Sequence, residues 1–192
     1  MAWNNNRDLL LFHGTNSHAL NSAGIPVTSL MISTIIKFQV NVGHSQREAD
    51  FSQGFYTTTS LHQAREWANE SVRKLANAPV SVYAKACVLS FAVKRDDVAP
   101  LDSLTFVIAS DDYFDFVEHC RRRPGQLSHA PTSRQNGKHY YDVVFGPVSL
   151  GWQRLVIHDC DQISFHDQTV ANTLLVSPVL REYAGTTSGQ LP

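Results

Sequence analysis

Apolar and polar positions along the chain repeat with two different periods. Leu9-Leu10-Leu11-Phe12 is a continuous apolar run, as in a strand buried on both faces, and it stops at His13-Gly14-Thr15. Leu30, Met31, Ile35, Ile36 and Phe38 fit helix or strand equally well. From Asp50 to Thr59 an aromatic strand centred on Phe55 and Tyr56 runs into a helix. Ser60 is its N-cap, Gln63 completes a capping box, and Leu61, Ala64, Ala68, Val72, Leu75 and Ala76 fall at helical spacing. Asn77-Ala78-Pro79 ends that helix.

Further on, Lys85 to Val93 alternates, with Cys87, Leu89, Phe91 and Val93 on one face. Thr105 to Ala109 predicts another short strand. Ser110 opens a helix with Asp111 and Asp112 in its first turn, and Arg121-Arg122-Arg123 closes it before Pro124-Gly125, which suits the macrodipole. Tyr140 to Phe145 reads as a strand ended by Gly146-Pro147. Arg154 to Ile157 and Gln162 to Phe165 read as two more strands, separated by His158-Asp159-Cys160-Asp161. Thr169 to Val176 reads as a helix, and residues 184–192, lacking an apolar pattern, as a frayed tail. The expected fold class is α+β, a single domain over residues 1–183.

Two local features carry candidate chemistry. Gly14, at the end of a buried strand, lets a ligand approach main-chain amides closely, although a plain turn has the same sequence. Tyr56 on the strand and Trp67 on the following helix either form two walls of a slot for a flat ligand or are ordinary core aromatics.

Composition narrows the class. The 192 residues are 43% hydrophobic and 17% charged, which is globular, and the net charge of −1 argues against a protein held to nucleic acid mainly by counterion release. Cys87, Cys120 and Cys160 match no metal or disulfide spacing, and the N-terminus lacks a signal-peptide core, so a cytoplasmic setting is expected. The most apolar window, Leu30 to Val42, is too short and too polar to span a bilayer.

Four blocks occur in the order found in one family: Phe12-His13-Gly14-Thr15; Asp50 to Thr59 with Gln63-Ala64 and Trp67-Ala68; Tyr141-Asp142-Val143-Val144-Phe145-Gly146-Pro147; and Asp161-Gln162-Ile163-Ser164-Phe165-His166. Together they resemble the ADP-ribosyltransferases of the diphtheria-toxin and poly(ADP-ribose) polymerase type. The nearest likeness is a bacterial and fungal branch with a pattern like HGS…DFGxGFYxT…QAxxWA…YDxVxGP…QxSFH. The resemblance implies two packed, mainly antiparallel sheets with flanking helices, and NAD as substrate. It implies that Gly14 holds the nicotinamide carboxamide through its main chain, beside Thr15, that His13 reaches a ribose hydroxyl, and that Tyr56 and Trp67 sandwich the nicotinamide. The third catalytic position, usually glutamate, is Gln162, and Ser52 stands where the branch tends to have glycine.

The activity so implied is mono-ADP-ribosyl transfer by a toxin or defence effector. NAD hydrolysis and non-catalytic NAD or ADP-ribose binding are the alternatives. The acceptor is a protein or a nucleic acid. A nucleic acid would be gripped by Arg121-Arg122-Arg123 or by Arg47, Arg134 and Lys138. An inhibitor or antitoxin protein is a further possible partner, and no metal is required. Glu48 and Glu118 are the reserve candidates should Gln162 not be the third catalytic residue.

Overall fold

The computed structural model describes residues 8–37, 39–44, 48–78, 83–129, 137–185 and 188–192. The chain divides into two compact units. One is built from Val40–Tyr56 and Lys94–Leu174, the other from 8–39, Thr57–Val93 and Leu175–Pro192. The expected class, α+β with two mostly antiparallel sheets and flanking helices, is what the structure has.

The second of these units carries a three-stranded antiparallel sheet of β1 (Leu9–Asn16), β3 (Ala86–Val93) and β7 (Val179–Tyr183), in the order β1-β3-β7. Asn16 caps a short helix, α1 (Ser17–Ser22), by accepting from the Ala19 N–H. Helix α2 (Leu61–Ala76) covers β1 and β3. Its Ala64, Ala68 and Val72 are buried with Phe12, Ala84, Ala86 and Val88. The expected cap is present, with Ser60 Oγ accepting from the Gln63 N–H at 3.2 Å. The return half of the box is replaced: Thr58 Oγ1 accepts from the Ser60 N–H and donates to Gln63 Oε1.

β1 does not stop at Phe12. His13, Gly14 and Thr15 pair with Leu89, Val88 and Cys87, so the expected turn is strand. The expected frayed tail is also overturned. Ala184 donates to Ala86 O, Ala86 donates to Gly189 O at 2.7 Å, and Leu191 exchanges two hydrogen bonds with the Asn69 side chain. Leu191 packs on the α2 cluster, which is what holds this polar segment down.

In the other unit the strand order is β2-β6-β5-β4. β2 is Phe55–Thr57, whose last residue falls beyond the unit boundary; β4 is Ser103–Thr105, β5 Val143–Ser149 and β6 Val156–Phe165. A single-turn helix, α3 (Arg95–Val98), precedes β4. β4 runs parallel to β5, the chain between them carrying α4 (Asp111–Arg121), and α5 (Gln168–Leu174) follows β6. Phe51, Tyr113, Val117 and Val144 form the core of this unit, with Tyr56, Phe106 and Phe116 against them.

Three strand expectations shift here. β5 continues through Gly146-Pro147, paired with Gln162 and Asp161 of β6. The two strands expected around His158–Asp161 are one strand. Strand β4 lies earlier than Thr105–Ala109, leaving Val107 and Ile108 exposed.

Deleting residues 188–192 removes the buried part of Leu191 and three hydrogen bonds, so the melting temperature should fall by about 5 °C. An unchanged melting curve for the shortened chain would show that these contacts contribute nothing.

Candidate functional site

In the three-stranded unit the candidate residues gather around Gly14. Phe12 directs both its N–H and its C=O to Thr58, away from β3. Backbone groups in an antiparallel pair alternate sides, so Gly14, two residues on, also directs its N–H and C=O out of the outer edge of β1, which is open at this residue among the described residues. One residue there offers a donor and an acceptor side by side. α2 crosses Gly14 so closely that a Cβ would sit 2.1 Å from the Ala64 carbonyl oxygen and 3.0 Å from Trp67 Cβ. Only glycine fits, and the Trp67 side chain starts next to the open amide edge. Trp67 is 46% exposed, so it is not a core aromatic. His13 and Thr15 alternate to the face of the sheet opposite α2, where Thr15 is buried and His13 half-buried.

The candidate residues of the four-stranded unit gather around Asp50, which sequence reading gave no role. Asp50 is buried, and its carboxylate has partners on every side. Arg121 reaches Oδ1 with Nε at 3.1 Å and Nη2 at 2.5 Å; the Ser149 N–H and Gln162 Nε2 reach Oδ2 at 2.8 and 2.7 Å. Gln162 is buried and donates its second N–H to Pro147 O at 2.9 Å. Both partners of its Nε2 can only accept, so the amide orientation is fixed by chemistry. Among the described residues no protein donor meets Oε1, which is left as the acceptor.

The same turn explains Ser52. Its φ is +70°, a conformation that favours glycine, and its side chain compensates by donating to Gln126 O and accepting from the Ser128 N–H. Tyr56 lies half-buried beside it. Its hydroxyl donates to Ser52 O at 2.6 Å and accepts from the Phe51 N–H, while its ring stacks on Phe51. Burial raises its pKa well above the ordinary value, so it stays a neutral phenol. Tyr56 is thus part of its unit's core to an extent that Trp67 is not.

Gly54, at the start of the strand, owes its identity to His166, whose Nδ1 a Cβ would meet at 2.7 Å. His166 is fully buried. Its Nδ1 donates to Gln53 O, and Nε2 accepts from Ser164 Oγ, both at 2.7 Å. Burial, and then the neighbouring His129, hold its pKa well below the ordinary value, so the ring is neutral.

The arginine cluster is not an open phosphate grip. Arg121 is buried on Asp50, Arg122 pairs with Glu118, and Arg123 bonds His119. Lys138 sits between Asp142 and Asp167 at 2.7 and 2.8 Å. Arg47 and Arg134 lie outside the described residues. Glu48 is exposed, and Glu118 is taken by Arg122. The sequence signal for the buried pair was slight: an aspartate ahead of an aromatic strand, and an arginine whose place at a helix end had a sufficient explanation in the helix dipole.

Residues 33–150, more than half of the chain, match the model of a family described as "Protein of unknown function (DUF3990)", and the chain belongs to that family. The matched span contains Asp50, Tyr56, Trp67 and Arg121; His13, Gly14 and Gln162 lie outside it. No curated protein and no solved structure matches the chain.

Two outcomes follow from this geometry. Arg121→Leu leaves the buried Asp50 carboxylate without its cation and should cost about 3–5 kcal/mol in urea unfolding; a loss under about 1 kcal/mol would mean the pair is dispensable. His166 has a folded pKa below its unfolded value of about 6.5, so under that pH the unfolded chain binds a proton the folded chain refuses. Stability is therefore lost as pH falls, by at most about 1.4 kcal/mol per unit. His166→Gln should flatten that decline between pH 7 and 5; an identical slope in the variant would refute it.

Proposed function

We propose that this protein is an NAD-dependent mono-ADP-ribosyltransferase that passes ADP-ribose to a macromolecular acceptor and releases nicotinamide. The observation that carries the reading is Gly14: a paired donor and acceptor on the open edge of β1, beside an exposed tryptophan. A nicotinamide carboxamide also has one donor and one acceptor, and its flat cationic ring suits the face of Trp67. Gln162 supports the reading on its own geometry. Its amide is oriented so that Oε1 can accept from a ribose hydroxyl. Tyr56 supplies a second aromatic, and His13 is assigned to the adenosine-side ribose.

The reaction is dissociative. The bond between nicotinamide and ribose breaks, the electron pair leaves with nicotinamide, and the acceptor's nucleophile closes on the sugar carbon and gives up its proton. The protein's contribution is to hold both halves of NAD in place. Oε1 on the ribose hydroxyl steadies the sugar as positive charge develops, though with a dipole instead of a full negative charge. The engagement of Arg121 and Lys138 by carboxylates favours a protein acceptor over a nucleic acid.

Incubation with labelled NAD tests the reading. Nicotinamide release with label on lysate proteins is the expected result; release without label means hydrolysis, and binding without release means a module that only holds the nucleotide. Trp67→Ala should raise KM for NAD about tenfold with little change in kcat. Gln162→Ala should lower kcat by roughly 10² with a smaller effect on KM. Full activity in both variants would remove these residues from the site.

A further inference from the structure

Position 162 is chemically constrained from below. The Nε2 of Gln162 meets Asp50 Oδ2 at 2.7 Å and Pro147 O at 2.9 Å, and neither partner can donate. An ionised glutamate in that place would set one carboxylate oxygen against another and against a carbonyl, inside the core. We infer that Asp50 is the positioning residue of the site: it fixes residue 162 as an amide and turns the Oε1 of Gln162 outward.

Asp50 can do this because it is itself immobile. Arg121 holds Oδ1 through two nitrogens, and the Ser149 N–H, fixed in β5, shares Oδ2 with Gln162. Pro147 O is steadied as well, since it accepts from the Tyr113 hydroxyl at 2.9 Å. The titratable groups that surround Asp50 are Arg121, Tyr113 and Cys120 from α4 and Tyr56 from β2. Burial pushes both phenols and the Cys120 thiol up, so they remain neutral, and the charge in this cluster is that of Arg121 and Asp50. The negative charge beneath Gln162 thus belongs to a neighbour, and the amide passes its influence to Oε1 by polarisation. That Oε1 serves a ribose hydroxyl rests on the ADP-ribosyltransferase reading; the amide identity of residue 162 does not.

The test compares the parent chain, Asp50→Asn, Gln162→Glu and the double variant. In the Gln162→Glu chain the new carboxyl fits only when protonated, because its O–H then donates to Asp50. Its folded pKa is raised above the unfolded value, so the folded chain holds the extra proton and stability is lost as pH rises through that folded pKa. At pH 8 its melting temperature should lie about 10 °C below the parent, and the gap should close as pH falls to 5. In the double variant, the asparagine amide at position 50 supplies an N–H for the carboxylate at position 162, so one acceptor-against-acceptor contact is removed; the rescue is partial, because that N–H then faces the Ser149 N–H and the carboxylate still faces Pro147 O. Its melting temperature should exceed that of Gln162→Glu at pH 8. Nicotinamide release should follow: kcat of Gln162→Glu down roughly 10² at pH 8 with KM nearly unchanged, recovering toward pH 5 and in the double variant. A Gln162→Glu chain as stable at pH 8 as at pH 5, or single effects that simply add in the double variant, would overturn the assignment. If the stability coupling appears while the parent releases no nicotinamide, Asp50 keeps its role and the ADP-ribosyltransferase reading falls.

Discussion

Asp50 places a negative charge almost out of reach of water, where an unpaired carboxylate would cost several kcal/mol or more. Everything within hydrogen-bonding reach of it answers that requirement. Arg121 brings the opposite charge from the end of α4, Ser149 brings a backbone N–H from the end of β5, and Gln162 brings an amide from β6. Each donor comes from a different element, so the carboxylate specifies where α4, β5 and β6 must end up relative to the turn at 50–52. Against a well-packed apolar replacement, such a pair gains little net stability. Its clearer effect is on uniqueness, because an arrangement that moves any of these elements away leaves the charge short of a donor.

The turn itself shows the consequence. With Asp50 fixed on one side and Phe51 driven wholly into the aromatic cluster on the other, the chain must reverse at once, and Ser52 does so with a positive φ. A glycine would adopt that backbone with less strain. Serine is retained with two hydrogen bonds to the segment around Gln126 and Ser128, which ties that segment to the turn. His129, just beyond, donates to Phe51 O and accepts from the Tyr141 N–H, so the same turn is held from a third direction.

Much of the fold is legible in the residues alone. The Ser60 cap, the helical face of α2, the limits of α4 and the α+β class all follow from local rules that act within a few residues. The errors lie where the local pattern lacks apolar alternation or carries a turn signal, and contacts distant in sequence decide the element. The first half of β6, through His158 and Asp159, is largely exposed, so it has no apolar alternation to read. β5 passes through Gly146-Pro147, a turn signal in the sequence, because both residues pair with β6. The tail is held by the packing of Leu191 on α2, by main-chain bonds to Ala86 and by one amide side chain. At the candidate site, residue types were readable and commitments were not. No local pattern distinguishes the buried Arg121 from its neighbours Arg122 and Arg123, and only the fold shows that one is committed to Asp50.

The two groups of candidate residues are built on different principles, and this affects how each tolerates change. Around Gly14 the polar groups are main chain, so no substitution of a side chain at that position can remove them without also colliding with α2. What sets the geometry is the smallness of Gly14, Ala64 and Ala68, which allows the helix close enough to bring the Cβ of Trp67 beside Gly14. A larger residue at 64 or 68 would lift the helix and move Trp67 away from Gly14 while leaving every polar group intact. Around Gln162 the dependence is reversed. Oε1 belongs to a side chain, and its direction is dictated by a charge one residue removed. The first group is therefore controlled by packing and the second by electrostatics. Substitutions that spare every residue expected to touch a ligand, at Ala64 in one unit and Arg121 in the other, reach the two groups by these separate routes.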